Sequence, residues 1–532
     1  MIHTLKSIGG MAVAPHHLAA QAARDVLRDG GNAVEAMVAA ASTIAVVYPH
    51  MNAIGGDGFW LIHEPGKTPV AIDACGQAAA LATPAFYAGH NVENNAIPAR
   101  GPLAALTVAG TIGGWSKALE VSARWGGKLS LKRLLQDAIG HANKGVIVTT
   151  SQHQLTRDKL DGLKDVAGFA QTFLTDGAAP EPGTVLKFPA LSRTLSQLAE
   201  RGLDDFYRGE LAMRMGAELE RVGSPLRASD LAAYHAKFVD PLAVRLNDST
   251  VYNLPPPTQG LSALMILGLF ERLGVTEGEG FAHLHGLVES TKRAFRVRER
   301  VVTDPGRLPV NPTDFLTPAK LDALAAEIDP AKALPWPDVA KPGDTIWMGV
   351  VDAQGRAVSF IQSVYWEFGS GVVLDGTGVC WQNRGISFSL DPKALNTLEP
   401  GRKPFHTLNP SLALFDDGRV MPYGTMGGEG QPQTQAAVFT RYARFGKGLQ
   451  QAVSAPRWLL GRTWGSETTS LKLENRFDPA LVAQLQAAGH DVEVLPEAFS
   501  DTMGHAGALV LHPSGVIEGA TDPRSDGVVA GL

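Results

Sequence analysis

The stretch TIWMGVVDAQGRAVSF, residues 345–360, is where the fold becomes readable. Thr345 to Asp352 has the apolar, β-branched character of a strand, Ala353-Gln354-Gly355-Arg356 supplies turn residues, and Ala357 to Val364 resumes the strand pattern. A β-hairpin is predicted. The chain before it has another texture. From Pro305 to Gly343 it is rich in Pro, Asp and Lys, punctuated by Pro309, Pro312, Pro330, Pro335, Pro337 and Pro342. This tract is predicted to be an exposed, poorly packed linker, about 305–344, and is the best boundary in the sequence. A hydroxyl residue, Thr345, therefore stands where a loose linker meets a rigid strand.

That position has a chemical meaning. Amide hydrolysis needs a nucleophile, a base and a means of stabilising an oxyanion. Threonine alone is a poor nucleophile. As the first residue of a chain it carries an α-amine of pKa about 7.7–8.0, which accepts the hydroxyl proton near neutral pH. This requires the peptide bond between Asp344 and Thr345 to be cut. A threonine that is merely a good strand former reads the same way locally, so the rest of the chain must decide.

Outward from the hairpin, the N-terminal part reads as helix-rich. Leu18 to Leu27 is an amphipathic run closed by Asp29-Gly30-Gly31, and Asn32 opens a second apolar helix from Ala33 to Val47. The turn Asn52-Ala53-Ile54-Gly55-Gly56-Asp57-Gly58 leads into a strand, Phe59 to His63. Its glycines point to close backbone approach. They do not form a dinucleotide loop, which would precede a helix. Leu129 to Lys144, Leu191 to Glu200 and Leu261 to Leu273 read as helices, the last launched by Pro255-Pro256-Pro257-Thr258-Gln259-Gly260. His283 and His285 lie in helical context on different faces, which favours a structural role over a metal site. More strands are predicted at Leu412 to Phe415, Leu471 to Leu473 and Ala508 to Leu511. Neither part looks self-sufficient, so strands from both ends of the chain should share one core.

Bulk properties exclude several classes. At 532 residues the chain exceeds one ordinary compact core and suggests two or more lobes. With 45% hydrophobic and 19% charged residues it reads as globular. A net charge of −6 argues against a nucleic-acid partner. The densest basic stretch, Lys292 to Arg300, reads as a solvated helix face. Two cysteines, Cys75 and Cys380, cannot build a disulfide framework or a thiolate metal site. No signal-like segment or run of about 18 apolar residues appears, so neither secretion nor a membrane is expected and the location reads as cytoplasmic.

In order along the chain, DGGNAVEA (29–36), NAIGGDGF (52–59), PPPTQG (255–260), KRAFRVRERVVTDP (292–305), EFGSGVV (367–373), KPFHTLNPSLAL (403–414), GTMGGEGQPQ (424–433), APRW (455–458) and DPRSDG (522–527) resemble the motifs of the γ-glutamyltransferase family of N-terminal nucleophile hydrolases. The resemblance runs nearly end to end. It implies an α+β fold, a four-layer αββα sandwich, and self-cleavage into a large subunit, 1–344, and a small subunit, 345–532, that stay together as a heterodimer. Whether such heterodimers pair again is left open. On the family's pattern Thr345 is the nucleophile, Ser363 is the hydroxyl that hydrogen-bonds it, and Gly427-Gly428 supply the oxyanion hole. No cofactor or metal is implied.

The departures concern substrate. The family's arginine for the α-carboxylate of a glutamyl group falls on Cys75, its aspartate for the α-amine falls near Ser387, and its serine pair falls on His406-Thr407. An ammonium left without its carboxylate partner costs on the order of 1–3 kcal/mol, so glutathione should be a poor substrate. Arg384 is new, with His406, Thr407 and Asn409 following it. It reads either as half of a bidentate pair with a substrate carboxylate or as a surface ion pair. The combination resembles the oxamate amidohydrolase branch, enzymes of purine and allantoin breakdown, and implies a small carboxylate-bearing amide as substrate. A γ-glutamyl transferase or hydrolase, a β-lactam side-chain acylase, and an uncleaved, inactive binding protein are the alternatives.

Overall fold

The computed structural model describes residues 3–90, 92–336, 344–461 and 468–532. Two seven-stranded antiparallel sheets form its centre. In chain order their strands are β1 (Leu5–Ser7), β2 (Gly10–Ala14), β3 (Asp57–His63), β4 (Val70–Ala74), β5 (Lys237–Val239), β6 (Leu242–Arg245), β7 (Ser249–Asn253), β8 (Asp344–Asp352), β9 (Ala357–Tyr365), β10 (Ser411–Phe415), β11 (Val420–Thr425), β12 (Ala506–Leu511), β13 (Ile517–Thr521) and β14 (Val528–Gly531). One sheet runs β1-β13-β12-β11-β10-β7-β6 and the other β14-β2-β8-β9-β3-β4-β5. The predicted hairpin is β8–β9, and β8 is sandwiched between β2 and β9.

Three apolar cores define the layers. Met11, Val13, Phe59, Leu61, Trp347, Val351, Leu412 and Leu509 meet between the sheets. On the outer face of the second sheet, Met348, Val350 and Phe360 pack under helices α1 (His17–Arg28) and α2 (Ala33–Val47). On the outer face of the first, Ala413, Met421 and Ala508 pack under α3 (Gly260–Arg272), α4 (Phe281–Val301) and α5 (Gln431–Phe439). This is the αββα sandwich. Both faces of β8 are covered, which is why its sequence reads as a nearly unbroken apolar run. Strands from both ends of the chain share these layers, so the length does not translate into separate lobes.

The motif DGGNAVEA is explained by α2. Asn32 Oδ1 accepts from Val34 N and Glu35 N while Glu35 Oε2 accepts from Asn32 N at 2.9 Å, a reciprocal cap. Asp352 Oδ2, at the end of β8, accepts from Ala33 N at 3.1 Å and ties the helix start to the hairpin.

Several expectations need correction. Leu129 to Lys144 is two helices, Leu131–Leu134 and Gln136–Lys144, with the break at Leu135. Strands β2, β4, β5, β6 and β7 lie in the half read as helical. They are short and gain their stability from long-range pairing rather than from a long alternating pattern. The tract after Pro305 is not loose up to residue 336: it forms the helix Pro318–Ala325 and buries Leu321, Ala325, Ile328 and Ala333. Residues 337–343, the end of the expected linker, lie outside the described residues. The basic stretch in α4 is not a solvated face. Lys292, Arg293 and Arg298 are buried, and only Glu299 and Arg300 are exposed.

Candidate active site

Thr345 sits at an irregularity built by the two strands. Asp344 faces Tyr365 and Ile346 faces Gln362, with a register shift between, so Ser363 and Val364 together oppose Thr345. Such a bulge re-aims a side chain within an otherwise regular ladder. Thr345 is fully buried. The glycine turn before β3 presses against this point. A Cβ on Gly56 would lie 2.1 Å from Ser363 O, and one on Gly55 would lie 2.1 Å from Cys380 O. This is the close backbone approach that NAIGGDGF predicted. The Ser363 hydroxyl accepts from Tyr365 N at 2.8 Å.

Beyond β11 the chain turns through Gly427 and Gly428, with φ of 116° and 52°. Left-handed values of this kind are strained for any side chain. The turn ends in α5, whose first residue, Gln431, donates from Nε2 to Thr345 Oγ1 at 3.4 Å. The glycine pair thus stands at a helix N-terminus beside Thr345, where main-chain N–H groups and the helix dipole favour negative charge. The turn is braced from the opposite side. Gln259 Nε2 donates to Gly428 O and to Thr407 O, each at 2.8 Å. Arg298 in turn holds Gln259 Oε1 at 2.8 Å and Glu429 Oε2 at 2.7 Å.

Arg384 completes the site. Gln382 N donates to Gly55 O at 3.0 Å and Asn383 N to Val364 O at 3.1 Å, which stitches WQNRG to the glycine turn and to β9. Arg384 is fully buried. Its Nη2 donates to Thr407 Oγ1 at 2.9 Å, and its Nη1 to Ser387 Oγ at 3.3 Å and Phe405 O at 3.4 Å. Its Nε has no partner. Among the described residues no carboxylate oxygen lies within 4.0 Å of it. The surface ion pair is therefore excluded. Burial draws its pKa down to about 10, so the guanidinium stays charged at neutral pH. Asn409 links the two ends of the site: its Nδ2 donates to Gln431 Oε1 at 3.0 Å and to Thr407 O at 2.8 Å. Its Oδ1 is buried without a partner.

His406 and Cys75 lie behind Arg384. His406 Nε2 donates to Asp57 Oδ2 at 3.1 Å, while Asp57 Oδ1 accepts from Gly76 N, Gly110 N and Gln382 Nε2, each at 3.1 Å. Burial, and next the charge of Arg384, hold His406 far below the usual imidazole pKa, so it is neutral. Burial raises Asp57 to about 7, a rise that its N–H donors and Arg384 only partly offset. Asp57, Cys75 and His406 bring ligand atoms within 4.8 Å of one another. The set does not suit a cation. Asp57 and His406 already satisfy each other, Arg384 and Lys403 add positive charge beside them, and burial keeps the Cys75 thiol protonated.

The γ-glutamyltranspeptidase family profile matches residues 19–532. The chain belongs to the γ-glutamyltranspeptidase family. Among its members the chain is 56% identical to oxamate amidohydrolase proenzyme of Klebsiella pneumoniae, covering 99% of each chain. It is 38% identical to a glutathione hydrolase-like proenzyme of Bacillus subtilis, over 98% of each. Cephalosporin acylase from Bacillus halodurans superimposes with a TM-score of 0.91 at 32% identity, covering 100% of this chain and 97% of that one. These are hydrolases of amide bonds, in an α+β fold of stacked sheets.

Of the residues singled out in the sequence, Thr345, Arg384, Thr407 and Asn409 are joined by one hydrogen-bond path through Gln431. Ser363 opposes Thr345 in the ladder, Gly428 is tied to Thr407 through Gln259, and His406 stands behind. Sequence reasoning missed Gln431, Asp57, Tyr365 and Gln259 as site residues. Three of them lie inside quoted motifs, but nothing in their spacing says that their side chains converge.

Proposed function

We propose that the chain is the precursor of an amidohydrolase that cuts itself before Thr345 and then hydrolyses a small carboxylate-bearing amide, with oxamate, giving oxalate and ammonia, as the substrate. The observation that carries the substrate class is Arg384: a buried guanidinium with a free Nε and, among the described residues, no carboxylate within 4.0 Å suits a ligand anion. The Klebsiella relative's name supports oxamate in particular.

In self-cleavage, Thr345 Oγ adds to the carbonyl carbon of Asp344, the C–N bond breaks, and the hydroxyl proton ends on the new amine. Water then hydrolyses the ester, freeing the Asp344 carboxylate and the Thr345 hydroxyl. In turnover the α-amine takes the hydroxyl proton, Oγ adds to the amide carbonyl, and the oxyanion is held by Gly427 and Gly428 N–H groups. Collapse expels ammonia, which takes the proton, and water releases the acid. Ser363 and Gln431 orient Oγ; Arg384, with Thr407, Asn409 and His406 around it, holds the carboxylate. The two pieces stay together as a heterodimer because β8 is hydrogen-bonded to β2 of the large piece. With oxamate as substrate the reaction belongs to purine and allantoin breakdown, which we assign to the cytoplasm.

The test is ammonia release from oxamate by the cleaved protein, with Thr345→Ala as blank. No release would overturn the oxamate assignment. Turnover of a chromogenic γ-glutamyl anilide instead would favour a glutamyl substrate.

A further inference from the structure

The strand that faces Thr345 also governs where Arg384 lies. Ser363 and Val364 oppose Thr345 across the bulge, and Tyr365 follows them opposite Asp344. Tyr365 N donates to Ser363 Oγ at 2.8 Å, which ties the aromatic residue to the one that faces Thr345. Asn383 N donates to Val364 O at 3.1 Å and brings the next residue, Arg384, over the end of β9. Nucleophile and cation thus hang from three consecutive residues of one strand.

The Tyr365 ring closes one face of the guanidinium, with Cζ 3.4 Å from the ring centre, in van der Waals contact. Around its edge the guanidinium is held by Thr407 Oγ1, Ser387 Oγ and Phe405 O. It is therefore fixed laterally by hydrogen bonds and stopped on one side by the ring. The ring has nowhere to withdraw, because Tyr365 is 1% exposed at the end of a central strand. Thr345, Arg384, Thr407, Asn409 and Gln431 are each 0% exposed. The span between nucleophile and cation is set by packed side chains and not by open solvent.

We propose that Tyr365 is a positioning residue that sets substrate length: its ring holds Arg384 at the reach of an amide whose carboxylate is bonded directly to the carbonyl carbon, and excludes amides with methylenes between the two. The inference rests on the reading above of Thr345 as nucleophile and Arg384 as the carboxylate's partner. An extended chain lengthens by about 1.3 Å per methylene, given a C–C bond of about 1.5 Å. The 3.4 Å between guanidinium and ring centre therefore corresponds to roughly two methylenes. With the ring gone, the arginine side chain has room to withdraw by that much, and its charge then meets the carboxylate of a longer substrate. The short substrate loses at the same time, because the stacking that held the cation at its height is gone.

The test compares kcat/KM for oxamate, malonamate and succinamate, which carry none, one and two methylenes between carboxylate and amide, in wild type, Tyr365→Gly and Tyr365→Phe. Glycine suits the φ of 84° at this position, so the first variant removes the ring without straining the backbone. Wild type is expected to prefer oxamate to succinamate by at least about 100-fold, since one methylene is worth roughly 10- to 200-fold. Tyr365→Gly is expected to narrow that ratio at least about tenfold, and Tyr365→Phe, which keeps the ring, to leave it within about threefold. The ratio cancels the concentration of active enzyme, so a variant that is merely destabilised or partly cleaved lowers all three substrates alike. An unchanged ratio in Tyr365→Gly, or an equal narrowing in Tyr365→Phe, overturns the role of the ring. Should Tyr365→Gly not fold or not be cut, Tyr365→Asn also tolerates a positive φ and removes the ring. It is expected to narrow the ratio, and an unchanged ratio overturns the proposal. If wild type releases ammonia from none of the three amides, the substrate reading fails and the inference with it; if wild type turns over oxamate and the ratio stays fixed in the variants, the length-setting role alone fails.

Discussion

The guanidinium carbon of Arg384 lies 3.4 Å from the ring centre of Tyr365, and Tyr365 holds a φ of 84° in doing so. A positive φ at an aromatic residue costs on the order of 1–3 kcal/mol and persists only where the surroundings over-determine it. Here they do: Tyr365 ends β9 opposite Asp344, and its ring is the floor on which the cation rests. The cation is thus stabilised by a π face and neutral oxygens, which leaves its charge available to a ligand.

Arg384→Lys should therefore lose anion recognition without losing the nucleophile. A compact ammonium cannot make a bidentate pair or stack in the same way. The expected result is a fall in kcat/KM for oxamate of roughly 10- to 100-fold, mostly in KM, with self-cleavage intact. Steady-state kinetics beside an intact-mass spectrum checks both halves, and an unchanged KM removes Arg384 from substrate binding.

Thr345→Ala should abolish cleavage and turnover together. Mass spectrometry should show one full-length chain where wild type shows fragments ending at Asp344 and beginning at Thr345. A fragment pair in the variant would move the cut elsewhere.

Gly427→Ala tests the oxyanion hole proposed at the glycine turn. The nearest atom to a new Cβ is Gly504 Cα at 3.5 Å, so there is room, and the change acts through the φ of 116°. Displacing the N–H groups should lower kcat by about 10²- to 10³-fold with a much smaller effect on KM. A kcat within a factor of about two of wild type would place the oxyanion hole elsewhere.

Asp57 makes the site pH-sensitive. Burial lifts its carboxyl from 3.8 to about 7. As pH rises through 7 it gains negative charge beside Arg384 and competes with the substrate carboxylate. The KM for oxamate should rise from pH 6 to pH 8, and Asp57→Asn should flatten the rise. Because the folded pKa lies above the unfolded one, the folded state binds the extra proton, and the stability this confers is lost between pH 4 and pH 7. The melting temperature of Asp57→Asn relative to wild type should accordingly climb across that window. Parallel curves would show that Asp57 does not titrate there.

The β8–β9 hairpin, α1 and α2 were legible because each carries a local pattern: a turn flanked by apolar runs, or an asparagine cap before a helical stripe. The strands at 237–253 were not, since their partners lie far along the chain and their own residues are half polar. Arg298 and Lys292 misled for a related reason. Charge at helical spacing normally means solvent, and only the packing of Gln259, Glu429 and the 327–334 segment around α4 makes those cations internal.

The sequence by itself determined the family and the β8–β9 hairpin, because ordered motifs and a turn between apolar runs are local facts. Tertiary structure alone decided that Arg384 is buried with no carboxylate within 4.0 Å among the described residues, that Gln431 joins it to Thr345 through Asn409 and Thr407, and that Asp57 stands behind it. Those relations bring together residues from 57 to 431, and their energies arise from burial and from hydrogen bonds between segments that no spacing along the chain encodes.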